Sequence, residues 1–478
     1  MRVQSSGIDL TKGSIVKNLV TLSLPIMLSN FMQTFYDLAN AFWLGKLGEN
    51  AKEAVSAAGI TMPIVFFLAS FGFGFVIAGT AMTARYKGAN EPEKIKKIIG
   101  QLIFILLTFI AIILVLSLVF IDQILNSLST PKEIFSISKG YMSITLISAF
   151  FMFAFFFYQG ITRGLGNTIT PMKAQLVSIG LNILLDPFFI FGISFFPRLE
   201  TIGAAYTSLI ARALAAFLGV YLFSVQSRDL IPQFKDIIPK WDLLKTIFKV
   251  SIPSSLSIST TSFGFVILQG FVNSYGTVPI SINSVGNRMI NFFMMPAMGF
   301  SQGLAAIIGQ NLGAKDIKRA EKSISYAFLL IMPIMIIGSI FVYLFAAELT
   351  RFFINDPEVI EAGKRMFKLT AISALVFGVL FIFNGIFNGS GDTKVVMVLD
   401  ITRLFVLRIP FVYILSGKLI EMRWFSNESI IRFLELISRH LAAYPYDALW
   451  WSMVYSNIVS AICAYLVYRT GRWKRVKI

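Results

Sequence analysis

The chain has 478 residues, of which 14% are charged and 56% belong to the apolar set AVILMFWYC, with a mean hydropathy of +0.74. A soluble protein carries roughly a quarter charged residues, so this chain cannot cover its apolar surface in water and needs lipid as its solvent. A single cysteine, Cys463, excludes an intrachain disulfide framework and a Cys-based zinc site. A single histidine, His440, leaves few ligands for a metal cluster or a Ser/His/Asp triad. The net charge of +17 takes its meaning from where the charges lie.

A spanning helix needs about 20 predominantly apolar residues. In chain order such segments fall near 19–45, 55–84, 98–120, 137–162, 170–196 and 202–225. A second set falls near 246–275, 279–311, 323–347, 366–390, 395–416 and 448–468. These twelve leave no room for a soluble domain. The polar start, Met1 to Lys17, has no signal-peptide core, so the first span is expected to be retained.

Basic residues alternate between the two sides. Arg2, Lys12, Lys17, Arg85, Lys87, Lys94, Lys96, Lys97, Arg163 and Lys173 fall on one side, as do Lys235, Lys245, Lys315, Arg319, Lys394 and the tail from Arg469. The positive-inside rule then places both termini in the cytoplasm of a plasma (inner) membrane crossed many times. The basic balance is an orientation signal plus attraction to anionic headgroups, and no nucleic-acid partner is implied. In the long outer connection from Gly417 to Leu449, Ile430, Phe433, Leu434, Ile437 and Leu441 follow helical spacing. They predict an amphipathic helix near 428–441, lying at the membrane surface.

Anchors recur at a nearly constant offset of about 225 residues. "GFVIAGTAMTARYKGANEPEKIKK" from Gly74 matches "GFSQGLAAIIGQNLGAKDIKRAEK" from Gly299, and "QGITRGLGNT" from Gln159 matches "NGIFNGSGDT" from Asn384. Lys17 and Pro25 match Lys245 and Pro253, while "DPFFIF" at Asp186 meets "IPFVYI" at Ile409 after a two-residue slip. The reading is an all-α integral membrane protein of twelve transmembrane helices in two six-helix lobes. Six spans return the chain to its starting side, so the lobes should be related by a pseudo-two-fold along the membrane normal. Residues 1–226 form the amino-terminal lobe, 227–249 a cytoplasmic linker and 250–478 the carboxyl-terminal lobe.

A carboxylate at the bilayer centre costs roughly 2.5–3.5 kcal/mol on insertion scales, and only Asp37, Asp186 and Asp400 lie well inside spans. Asp186 sits in "GLNILLDPFF", with Asn182 one helical turn away on the same face. Pro187 has no N–H, which frees the Ile183 carbonyl. A carboxylate, an amide oxygen and a carbonyl within one turn suit a hard monovalent cation. The same carboxylate, desolvated among Leu185, Phe188 and Phe189, could instead take up a proton. Thr207 and Ser208 on the next span supply hydroxyl oxygens, and Asp37, Gln33 and Asn40 share a polar face on span one.

The competing structural reading pairs Asp37 and Asp186 with interior arginines such as Arg212. For Asp400 that reading prevails, since Arg403 and Arg408 offer partners. The repeat partners of Asp37 and Asp186 are Phe265 and Ile409, so the ionisable site is not duplicated. In the carboxyl half Asn283, Asn287 and Asn291 form one stripe, Asn384 and Asn388 another, and Met294 and Met295 belong to an apolar wall. These are candidates for a substrate cleft, with interhelical hydrogen bonds and core packing the alternative for each.

With "LSLPIMLSNFMQTFYDLANAFWLGKLG" on span one, then "RGLGNTITPM", "LNILLDPFFIFG" and "IGAAYTSLIAR", the chain resembles the multidrug and toxic compound extrusion (MATE) transporters over nearly its whole length. The resemblance is to the prokaryotic type with an Asn-x-x-x-Asp-Pro motif on span five. It implies a two-lobed exporter of organic, often cationic, compounds in exchange for Na⁺ or H⁺, with no other cofactor and no resident metal. It places the coupling-ion ligands at Asp186, Asn182 and Ser208, and the kinking proline of span one at Pro25. The family's span-one carboxylate falls on Asn40; Asp37 stands one turn earlier. Either the two polar residues have exchanged places around one site, or the site has one carboxylate fewer.

The expectation is antiport by alternating access, hinging at Pro25 and Pro187, by a monomer in lipid. A flippase for a lipid-linked oligosaccharide is the alternative, and it would need a more cationic cleft than Arg212, Arg288, Arg403 and Arg408 offer. A membrane enzyme would need His440 or Cys463 in a catalytic setting, and both read as structural.

Overall fold

In lipid every backbone group must be satisfied within the protein, and helices do this segment by segment. The computed structural model describes residues 7–48, 51–193, 196–418, 444–476 and 478, and of Asp37, Ala41 and Ala51 the backbone only. The 428–441 helix expected from the sequence lies outside the described residues.

The amino half contains α1 (Ile15–Gly45), α2 (Ala51–Gly88), α3 (Pro92–Val119), α4 (Lys132–Gly164), α5 (Ile169–Phe191) and α6 (Glu200–Gln226). The carboxyl half contains α7 (Trp241–Asn273), α8 (Thr277–Gly313), α9 (Ile317–Leu344), α10 (Pro357–Ser390), α11 (393–415) and α12 (Ala448–Arg469). Among the described residues eleven helices are long and apolar enough to cross a membrane. The exception is α11, where a π-helical stretch, Thr402–Arg408, separates Thr393–Ile401 from Ile409–Leu415. That segment also carries Asp400, Arg403 and Arg408. The break and the charges together set it apart from the other spans.

Two short turns of helix, Arg228–Leu230 and Phe234–Ile237, connect the halves. Gln101 of α3 pins this connection by donating to the Asp236 and Ile238 carbonyls at 2.8 and 2.9 Å and accepting from Lys240 N–H. The helix α7 then starts at Trp241, inside the stretch expected to be linker. Its first turns bury Leu244 and Ile247 while Lys245 faces solvent, so an amphipathic extension carries the helix beyond its apolar span.

The sequence repeat returns as repeated geometry. After α2, Glu91 N–H bonds the Tyr86 carbonyl and Asn90 adopts φ 58°; after α8, Asp316 N–H bonds the Asn311 carbonyl and Lys315 adopts φ 61°. The turns after α4 and α10 match in the same way: Asn167 N–H to Thr162 and Asp392 N–H to Phe387, each 2.8 Å. Helix pairings match too. The most extensive are α2 with α4 and α8 with α10, and α1 packs on α8 as α7 packs on α2.

The halves meet at the end where both termini lie. There α2 and α8 cross so closely that a Cβ on Gly88 would stand 1.9 Å from the Gln310 carbonyl oxygen, and one on Gly313 2.0 Å from that of Arg85. Only glycine allows this approach. The amino-terminal segment ties the same seam: Leu10 N–H donates to Gln310 Oε1 at 3.0 Å, and Arg319 donates to the Lys12 and Gly13 carbonyls. Lys87 holds the Leu165 and Gly7 carbonyls.

From the other terminus, Arg472 pairs with Asp392 at 2.8 Å, Lys474 with Glu321 at 2.5 Å, and Arg85 donates to the Val476 carbonyl. Trp473 at the centre of this tail is fully buried and stacks on Tyr468. Trp473→Ala should cost about 3 kcal/mol or more, seen as a lowered thermal midpoint of the detergent-solubilised protein. A midpoint equal to wild type would mean that the tail contributes no packing.

Toward mid-bundle the seam continues through Ser70 Oγ and Ser259 Oγ, 2.5 Å apart, and through the rings of Phe31 and Phe292, 6.0 Å apart.

Candidate functional site

Helix α5 is apolar on most of its surface, and its one acid has to be enclosed by protein. Asp186 and Asn182, one turn apart, are both fully buried against α6. Thr207 Oγ1 donates to Asp186 Oδ1 at 2.5 Å. The Asn182 amide, with its nitrogen toward the carboxylate, donates to Asp186 Oδ2 at 3.3 Å, while its oxygen accepts from Ser208 N–H at 3.1 Å. Proline at 187 removes the N–H that would have bonded the Ile183 carbonyl, inside an otherwise continuous helix.

Helix α1 closes the site from the other side. Tyr36 Oη and Ser208 Oγ are 2.8 Å apart, and Tyr141 of α4 lies in hydrogen-bonding reach of Asn40. The Asn40 Oδ1 atom is buried with no partner among the described residues, leaving an oxygen free to accept. The Asp37 side chain lies outside the described residues. Pro25 sits inside α1, about three turns before Tyr36, where its missing N–H weakens the helix.

The pairing of Asp186 with Arg212 is not what this arrangement shows. Arg212 Nη1 donates to Ser148 Oγ at 2.8 Å, and the carboxylate has hydroxyl and amide neighbours instead. The result is one acid, three amide or hydroxyl groups from Asn182, Thr207 and Ser208, and a free amide oxygen from Asn40, all within protein. Such a donor set matches a hard monovalent cation or a proton, which need oxygens and a single counter-charge. Tyr141, an aromatic in an apolar span, carries no signal in the sequence that marks it for this site. Tyr36, the neighbour of Asp37, is legible there as the residue one turn before Asn40.

The carboxyl half differs. Asp400 accepts from Ser257 at 2.5 Å and from Arg403 at 3.3 Å; of the two arginines expected to pair with it, Arg408 does not do so among the described residues. Asn283 donates to Gln269 of α7 at 2.8 Å, an interhelical hydrogen bond. Asn287 and Asn291 are exposed, Asn384 and Met295 half-buried. Met294 is 5% exposed and packs in the core with Leu22 and Ile331, so it is not part of a cleft wall here. Its neighbour Phe292 is the exposed residue instead, because the helix turns Met294 toward α1 and α9.

Comparison with known proteins gives a consistent picture. The MatE family model matches residues 25–188 and 253–414. A probable multidrug resistance protein, YpnP, of Bacillus subtilis is 28% identical over 98% of both chains. The multidrug export protein MepA of Staphylococcus haemolyticus is 27% identical over 85% of this chain and 88% of its own. Among solved structures, a MATE in complex with MaD3S superposes with a TM-score of 0.85 at 24% identity, over 99% of this chain and 100% of the other. An outward-facing multidrug resistance MATE transporter of the MOP superfamily does so at 0.83 and 23%, over 99% of both.

Proposed function

Because the chain belongs to the MatE family, as a multi-pass membrane multidrug efflux transporter and not an enzyme, we propose that it is an antiporter that exports organic, often cationic, compounds against Na⁺ or H⁺ by alternating access. The observation that carries this reading is the fully buried Asp186, which among the described residues is bonded by hydroxyl and amide groups and by no basic side chain. A buried acid without a basic partner is costly, and a cation arriving from outside the protein removes that cost.

The chain crosses the membrane twelve times, with α11 as the eleventh span, and both termini are cytoplasmic. The two halves are lobes related by a pseudo-two-fold, as the repeated turns and helix pairings suggest. The lobes touch on the cytoplasmic side, through the glycine crossing of α2 and α8 and the terminal segments, so this state faces outward. In it the cation, or proton, occupies Asp186, Asn182, Asn40, Thr207 and Ser208, and Asp37 adds a second carboxylate from α1. Binding there favours one arrangement of α1 and α5 around Pro25 and Pro187. The ion shifts the equilibrium only by its difference in affinity for the two states. Substrate is taken up between the lobes, against α8 at Asn287 and Asn291, when the cytoplasmic seam opens. Of the four interior arginines only Arg288 is exposed, which gives a pyrophosphate headgroup little to bind and favours the drug exporter over the flippase.

Proteoliposomes containing the protein should export a cationic dye when an inward Na⁺ or proton gradient is imposed, each tested separately. Export that responds to neither gradient would end the antiport reading.

A further inference from the structure

The carboxyl half holds a charge that its own residues leave unanswered. Arg408, in the membrane-spanning part of α11, is 6% exposed and among the described residues makes no hydrogen bond or ion pair; its Nε is buried without an acceptor. Its guanidinium stands over the ring of Phe265 on α7, 5.7 Å from the centroid. A guanidinium does not deprotonate in a protein, and a buried charge without a counter-charge is strongly destabilising. The ring offsets part of this; an anion would offset the rest.

No carboxylate from the neighbouring described elements does so. Helix α12 has no acid, α7 has only Asp242 in its first turn, and α10 has Glu358 and Glu361 at its start. Asp400, the acid of α11 itself, is bonded by Ser257 and Arg403. Arg403 is 8% exposed, also contacts Asn457 at 3.3 Å, and likewise has a buried Nε without an acceptor. The one acid of α11 thus answers Arg403 and not Arg408.

The backbone sets both charges on one short stretch of α11. Arg403 and Arg408 are five residues apart, which on an α-helix separates them by more than a third of a turn. The π-helical stretch Thr402–Arg408 spaces its hydrogen bonds five apart, and from it Arg403 reaches Phe377 of α10 and Asn457 of α12 while Arg408 reaches Phe265 of α7. The repeat register sets this charge apart. Phe265 is the counterpart of Asp37, and Ile409, next to Arg408, is the counterpart of Asp186. Both counterparts are apolar, and Arg408 itself aligns with Leu185, so its charge is one that the amino half does not repeat.

We propose that Arg408, beside the ring of Phe265, binds a monovalent anionic group within the carboxyl half. The group is either a free halide or a carboxylate carried on the transported compound. The second source rests on the exporter reading above; the first does not.

Two measurements separate these sources. In nanodiscs of zwitterionic lipid, chloride is titrated against isethionate at constant ionic strength, and thermal stability is read. A saturable rise of a few degrees in wild type, absent in Arg408→Gln, identifies a free anion. In proteoliposomes, export of rhodamine 110, which carries a free carboxylate, is compared with that of its methyl ester, rhodamine 123. A ratio that falls about tenfold in Arg408→Gln, the equivalent of one charge-assisted hydrogen bond, identifies the carboxylate of the cargo.

Arg408→Lys, which keeps the charge, should retain most of whichever effect is found. A chloride effect that persists in Arg408→Gln together with an unchanged rhodamine ratio would overturn the proposal. So would wild type showing neither saturable chloride stabilisation nor export of rhodamine 110. Failure of wild type to move rhodamine 123 would count against the exporter reading alone, since the chloride titration still decides the site.

Discussion

Replacing Asp186 with Asn is expected to abolish ion-driven efflux while leaving the protein folded in the membrane. The substitution keeps the shape of the side chain and one oxygen, and the Thr207 hydroxyl can still donate to that oxygen. What disappears is the full negative charge. At about 4 Å and an effective dielectric near 20, that charge is worth up to about 4 kcal/mol to a bound cation, roughly three orders of magnitude in affinity. The neutral amide should also relieve the cost of a buried, unpaired carboxylate, so the thermal midpoint without ion should not fall. Both readouts come from one purified variant, by dye efflux under imposed gradients and by thermal unfolding. Wild-type export by a folded Asp186→Asn protein would remove this carboxylate from the mechanism.

Joining the two halves at mid-bundle should stop transport almost completely. Ser70 Oγ and Ser259 Oγ are 2.5 Å apart across α2 and α7, close enough for a disulfide to form between cysteines placed there. With Cys463 replaced by Ala, the double variant Ser70→Cys, Ser259→Cys should export dye when reduced. It should lose nearly all export on oxidation and recover it with reductant. Each single cysteine variant should be indifferent to oxidant. The reason is mechanical: access from the termini side requires the seam from Gly88 and Gln310 up to Ser70 and Ser259 to open. Undiminished export from protein shown by peptide mapping to be cross-linked would mean that the halves do not separate along this seam.

Particular residues show how far the sequence alone reaches. Asp186, Asn182 and Pro187 could be grouped from spacing, because helical periodicity and the absent proline N–H act within one turn. Their hydroxyl neighbours Thr207 and Ser208 lie on the adjacent span, where a short connection limits the choice of partner. The repeat at about 225 residues was legible because the same turn chemistry, such as that after Tyr86 and after Asn311, demands similar residues. Arg212 was a different matter. Its choice of Ser148 over Asp186 depends on how α4 leans against α6, which no local pattern encodes. The same holds for Met294, turned into the core, and for Asn283, bonded to Gln269.

By itself the sequence determined the solvent, the helical spans, the duplication and the location of the isolated acid. These follow from the cost of placing charge and unpaired backbone in lipid, which each segment meets on its own. The tertiary structure alone decided which faces meet: the glycine crossing of α2 on α8, the terminal segments laid over it, the tyrosines around Asn40 and the unanswered Arg408. Helices apolar on nearly every side carry little directional signal, so their partners are selected by interlocking shape and a few polar contacts between segments far apart in the chain.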